Sequence, residues 1–168
     1  MLIEPDQQYY EGGKYVWTEE RRRAVWGASV RLFQQALERR TAEQVILMVG
    51  VPGAGKTTYA KAADRDAVIV LDSTFVEPER RWQILQIAKQ YGVPVIAVWM
   101  DTEWDVCVKR NAARPEDRKV PVEVMQGMYQ KLFDHRPTEA EGFAEVRRVY
   151  TRKSGKVVGD EGIMRKVG

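Results

Sequence analysis

Val45-Ile46-Leu47-Met48-Val49 followed by Gly50-Val51-Pro52-Gly53-Ala54-Gly55-Lys56-Thr57-Thr58 is the stretch that decides the fold. The unbroken apolar run reads as a strand buried on both faces, the mark of a parallel sheet. The segment after it fits G-x-x-x-x-G-K-[ST] and opens a helix expected to run to about Asp64. Glycines let backbone close around a phosphate, so that amide N–H groups and the positive helix end face the anion. All of Gly50 to Thr58 is therefore the expected nucleotide-binding set, with Lys56 on the β and γ phosphates and Thr57 on Mg²⁺. ATP, or GTP, and Mg²⁺ are the cofactors this implies.

Working outward, further apolar runs alternate with helical patterns. Ala67–Leu71 and Val93–Met100 read as buried strands, Leu2-Ile3 as a short one, and Glu145–Arg152 with Lys156–Val158 as a strand pair. Thr18 caps a helix expected to reach Arg40, with Trp26, Val30, Phe33 and Leu37 on one face. Pro78 opens a helix whose inner face is Ile84, Ile87, Ala88 and Tyr91, ended by Gly92. Thr102 is expected to cap the next helix, with Asp105 answering it. Pro121 opens a last one with Met125, Met128, Tyr129 and Leu132 inward. Strands alternating with helices predict an α/β fold with a mostly parallel, doubly wound sheet.

Composition narrows the function classes. The 168 residues are 44% hydrophobic and 30% charged, the profile of one globular domain. No apolar run approaches the ~20 residues of a membrane span, and the start lacks the basic and apolar regions of a signal peptide. A soluble, cytoplasmic protein is expected. One cysteine and one histidine leave little material for a metal centre or a Ser-His-Asp triad. The net charge of +3 is small, but arginines cluster at 21–23, 39–40, 80–81 and 147–148. Each cluster reads as a solvated face or as a nucleic-acid contact.

Ligands of an open α/β sheet sit beyond the carboxyl ends of its strands. Those ends carry Asp6, the glycine loop, Asp72-Ser73-Thr74 and Asp101. Asp72 suits Mg²⁺, and Asp6 suits a general base that takes the proton of an attacking hydroxyl, a role worth about 10²–10⁴-fold. Asp101, directly before Thr102, reads as structural. Arg110 and Arg114, four apart before the polar loop Arg114–Lys119, suit a lid that closes arginines over the transferred phosphoryl group.

Several pieces, in order, resemble the P-loop kinases typified by the phage 5′-polynucleotide kinase. They are Val68–Thr74, Pro78-Glu79-Arg80-Arg81, Ala88–Gly92, Lys109–Arg114, Val120–Met125 and Met128-Tyr129, with Glu141-Gly142-Phe143 near the closing strand. The resemblance implies a P-loop kinase-like three-layer sandwich with a helical lid. It also implies lid arginines at Arg110 and Arg114, and Thr74 beside the acceptor. The family places a strand ending in Asp-x-x-Arg and a long helix between the loop helix and the Asp-x-Thr strand. Here only Tyr59–Asp66 lies between them, whereas residues 2–40 look like that module.

A partial circular permutation within a single 1–168 domain follows: 2–40 as the relocated acceptor side, 45–150 as nucleotide core and lid, 151–168 as closing strand and tail. Asp6 is followed by Gln7, Gln8 and Tyr9, so the acceptor-side arginine is missing. Arg80, Arg81 or Arg21–Arg23 are candidate substitutes, and Tyr9 or Tyr10 can stack on a base. The implied reaction is transfer of the γ-phosphoryl group to the 5′-hydroxyl of DNA or RNA, with a single-stranded 5′ end as partner. A small-molecule or nucleoside kinase, or a non-catalytic nucleotide-binding regulator, would share the same loop.

Overall fold

The computed structural model describes residues 1–5, 18–39 and 41–151 in full, together with the backbone of Tyr10–Glu11, Lys14–Tyr15 and Val157–Val158. Chain order is β1 (Leu2–Ile3), β2 (Tyr10–Glu11), β3 (Lys14–Tyr15), α1 (Glu19–Glu38), β4 (Gln44–Val49), α2 (Lys56–Ala63) and β5 (Val68–Leu71). It continues with α3 (Pro78–Gln90), β6 (Val95–Thr102), α4 (Trp104–Ala112), α5 (Val122–Asp134), β7 (Glu145–Thr151) and β8 (Val157–Val158).

The main sheet runs β1-β5-β4-β6-β7-β8. The first five are parallel and β8 is antiparallel on the edge. β2 and β3 form a separate antiparallel hairpin. The expected doubly wound sheet is present, and β1 takes the edge position beside β5, with Leu2 opposite Val70 and Ile3 opposite Leu71.

β4 is central for a physical reason. Val45 to Val49 are all buried, so each side chain lies under a helix layer on one face or the other. Burying a Val, Leu or Ile side chain contributes roughly 1.5–3 kcal/mol, so the strand is held firmly in the middle of the core. With right-handed crossovers, the steps β1→β4, β5→β6 and β6→β7 put α1, α3 and α4–α5 on one face and α2 on the other. α1 and α3 do meet: the Trp26 Nε1–H donates to Gln83 Oε1 at 2.9 Å, and the Trp26 ring stands edge-on to Phe75.

Thr18 caps α1 as expected, its Oγ1 accepting the Arg21 amide at 3.1 Å. Val25, Ser29, Phe33, Ala36 and Leu37 form the buried face, with Trp26 and Val30 at its margin. Two expectations need correction. On α3, Leu85 joins Ile84, Ile87 and Ala88 in the core, while Tyr91 is the exposed C-cap. Thr102 does not cap α4. It is the last residue of β6, Glu103 is the N-cap, and no side-chain bond caps that helix.

Candidate phosphate-binding site

The glycine loop sits where β4 ends and α2 begins. Gly55 is the N-cap of α2 in a left-handed conformation (φ 99°), so no capping side chain occupies the first-turn amides. The first amides of any helix lack intrahelical partners, which makes a helix start without a side-chain cap a natural seat for an anion. Lys56 Nζ bridges back to the Val51 carbonyl at 3.0 Å, and Thr57 and Thr58 are exposed at the start of the helix.

Neighbouring elements hold the loop on two sides. On one side the Gly50 amide donates to the Thr74 carbonyl at 2.9 Å, tying the loop to the segment that leaves β5. That segment is strained: Phe75 has φ 44°, a conformation costing an L-residue about 1–2 kcal/mol. Burial of its ring and the Arg81 Nη1 bond to its carbonyl at 3.0 Å hold it there. Asp72 is buried at this strand end, its amide on the Ile3 carbonyl at 3.0 Å.

On the other side, Thr102 Oγ1 donates to the Ala54 carbonyl at 2.9 Å and Arg110 Nη1 to the Gly53 carbonyl at 3.3 Å. Gly53 (φ 81°) packs so tightly that a Cβ would lie 2.4 Å from the Cys107 carbonyl oxygen. Burial pushes the Cys107 thiol up to about 11, with the charges of Lys56 and Arg110 pulling it down and that of Asp101 adding to the rise.

The predicted residues thus divide. The loop, Lys56, Arg110 and Thr74 come together around one cradle, and Asp72 ends the strand next to β4. Arg114 follows the C-cap Ala113 rather than lying in α4; it is half-buried, with its amide on the Asn111 carbonyl at 3.1 Å. The polar loop after it is pinned at its base. The buried Asn111 donates from Nδ2 to the Val120 carbonyl at 2.8 Å and accepts the Val120 amide on Oδ1 at 3.1 Å. Inside it, Lys119 pairs with Glu116 at 2.6 Å beside the short turn Glu116–Arg118.

Arg80 has partners of its own, an ion pair with Glu77 at 3.0 Å and the Trp26 ring at 4.7 Å. Arg81 is structural and not a spare acceptor-side cation. It is 1% exposed, holds Glu141 through Nε and Nη2 at 2.8 and 3.0 Å, and caps the Phe75 and His135 carbonyls. Asp101 pairs with Arg148, as a structural residue would. Asp6 and Tyr9 lie outside the described residues. An open cleft of about 540 Å³ lies at Arg81, Phe133, His135 and Arg136, and it shares no lining residue with the loop. Thr102 is the participant that sequence reasoning placed wrongly, because a threonine just ahead of a helix pattern also fits an N-cap.

A family described as an AAA domain matches residues 60–135, from within α2 to just past α5. That span begins after the glycine loop and carries Asp72, Thr74, Arg80, Arg110 and Arg114. The L-seryl-tRNA(Sec) kinases of Homo sapiens and Mus musculus are each 29% identical over 76 residues, 45% of this chain and 21% of theirs. The chain thus matches about a fifth of the length of these curated relatives. Among solved structures, that of the AvrRxo1-ORF1:-ORF2 complex overlays with a TM-score of 0.51 at 13% identity. The overlay covers 85% of this chain and 67% of that one, a likeness of fold alone. The fold is a P-loop kinase-like α/β fold.

Proposed function

We propose that the protein is a phosphotransferase that moves the γ-phosphoryl group of ATP, with Mg²⁺, to a hydroxyl carried on a nucleic acid, most simply the 5′-hydroxyl of DNA or RNA. The observation that carries the reading is the cradle: the start of α2 with no side-chain cap, Lys56, and Arg110 reaching the same loop from α4. A pure nucleotide switch needs the amides and the lysine. A second cation brought in by a helix that leads into a loop is what phosphoryl transfer adds.

Mg²⁺ fits the oxygens at hand. Among the described residues no three His, Cys, Asp or Glu gather, and a nucleotide-bound Mg²⁺ asks for only one or two protein oxygens. Thr57 Oγ1 and Asp72 would hold it, and it would neutralise charge on the phosphates. Asp6 is the proposed base. Arg114 is the second lid cation, Thr74 and Tyr9 the acceptor contacts, and Arg80 an acceptor-side cation once drawn from Glu77. The L-seryl-tRNA(Sec) kinases, by name, also act on an RNA-borne acceptor, which supports the nucleic-acid reading.

A small-molecule or nucleoside acceptor is the second reading. The full engagement of Arg81 favours it, because that leaves fewer basic side chains for a phosphate backbone. Incubation with γ-labelled ATP and Mg²⁺ separates the two, using 5′-hydroxyl DNA and RNA oligonucleotides, tRNA and free nucleosides as acceptors. Label on oligonucleotides, lost in Asp6→Asn with ATP affinity retained, is the expected result. Label on nucleosides alone moves the assignment to the second reading, and ATP binding with no labelled acceptor removes the transferase.

A further inference from the structure

The bond from Thr102 to the loop has a directional consequence. A trans peptide is planar, so its C=O and N–H point in opposite directions. Thr102 Oγ1 donates to the carbonyl of Ala54. The other half of that peptide is the N–H of Gly55, the residue that caps α2. Pulling the carbonyl toward the end of β6 therefore turns the Gly55 amide the opposite way, into the cradle.

We infer that Thr102 is a positioning residue for the anion site: its hydroxyl fixes the Ala54–Gly55 peptide so that the Gly55 N–H is aimed at a bound phosphate before the phosphate arrives. The inference rests on the nucleotide reading above and adds a residue to it.

Three features make this more than an incidental hydrogen bond. Thr102 and Ala54 are both buried, at 2% and 1% exposure, so water does not compete for the Ala54 carbonyl. Its backbone is fixed against β7, by the β6–β7 pairing with Thr151 and by the Glu103 amide on the Thr151 carbonyl at 3.2 Å. Gly53, one residue earlier, is seated against the Cys107 backbone of α4 and receives Arg110 on its carbonyl. Consecutive carbonyls, those of Gly53 and Ala54, are thus drawn toward the β6–α4 side, and the loop is preformed. Without Thr102, Gly55 has glycine's freedom to rotate that peptide, and part of the binding energy goes into ordering it.

The test is the affinity of the full chain, the Thr102→Val variant and the Thr102→Ser variant for MgATP and for inorganic tripolyphosphate. Titration calorimetry would be run at a temperature where circular dichroism shows all three folded. Valine keeps the shape and strand preference and removes the donor; serine keeps the donor. Thr102→Val should weaken both ligands by about tenfold, the scale of one amide bond to an anion, and Thr102→Ser should stay within about twofold of the parent. Equal weakening of the two ligands marks the phosphate cradle rather than a base contact. If Thr102→Val binds as tightly as the parent, the inference is wrong. A loss in both variants alike likewise overturns it, because packing rather than the hydroxyl would be responsible. A parent chain that binds neither ligand removes the nucleotide reading itself and this inference with it.

Discussion

Gly53 answers to two separate constraints, a left-handed backbone and a Cys107 carbonyl 2.4 Å from where a Cβ would stand. Gly53→Ala should therefore cost about 2–4 kcal/mol, combining conformational strain with overpacking. The midpoint of urea unfolding measures it, and a loss below ~0.5 kcal/mol would show that α4 yields easily. Cys107 gives a pH signature. Burial raises its thiol to about 11 from the ordinary 9.0. The unfolded thiol ionises first, so its contribution to stability is intact below about pH 8 and is lost as pH climbs through 9 to 11. The stability of the parent minus that of Cys107→Val should stay level to about pH 8 and then fall; a difference that grows with pH would contradict the burial. Legibility at this scale follows chain distance. The loop residues act through contiguous backbone, so their spacing alone betrays them. Thr102 acts on Ala54, 48 positions away, and nothing in its local pattern separates that role from a helix cap.

At the scale of elements, hydrophobic period locates helices but does not tell which of two adjacent stripes turns inward. On α3 both Leu85 and Tyr91 extend the Ile84-Ile87-Ala88 stripe, and the buried Arg81 at the start of the helix settles the rotation. Its guanidinium joins three segments: the Phe75 carbonyl after β5, the His135 carbonyl after α5, and Glu141 ahead of β7. A buried charge with that many partners is not visible in a local Arg80-Arg81 pair, which reads as a surface cluster. Arg81 is the buried member of its pair with Glu141, and removing it also strips the buried Phe75 carbonyl and the His135 carbonyl of their donor, so Arg81→Leu should destabilise by about 3–5 kcal/mol. The pair Arg81→Leu with Glu141→Leu should recover part of that loss, since neither charge is then left alone. Thermal unfolding of the two variants and the double variant measures the coupling. Additive losses would mean that the bidentate contact contributes little beyond the carbonyl bonds.

At the scale of the molecule, the order of strands along the chain and their order in the sheet differ, with β5 standing between β1 and β4. The Met1 nitrogen lies 2.8 Å from Asp64 Oδ1, just past α2, and 2.6 Å from the Val68 carbonyl at the start of β5. After α1, the Glu43 amide meets the Ala67 carbonyl at 2.8 Å. Both ends of the β1–α1 module therefore stand at the α2–β5 connection, where the kinase resemblance expects that module to be inserted. The expectation that residues 2–40 stand in for that module is legible in motif order. The closeness of the two junctions is not, because it depends on where β1 pairs. Relinking the chain as 41–64, then 1–40, then 65–168, with a linker of about four residues at each junction, spans the gaps at ~3.3–3.6 Å per residue without moving a strand. The relinked protein should unfold cooperatively, with the near-ultraviolet circular dichroism of the parent, because Trp26 still meets Gln83 and Phe75. Its stability should stay within about 2 kcal/mol of the parent, as loop-closure entropy changes slowly with loop length. A relinked chain that keeps its helix content but loses cooperative unfolding would show that β1 does not reach its place beside β5 from the new position, and the expected permutation would be overturned.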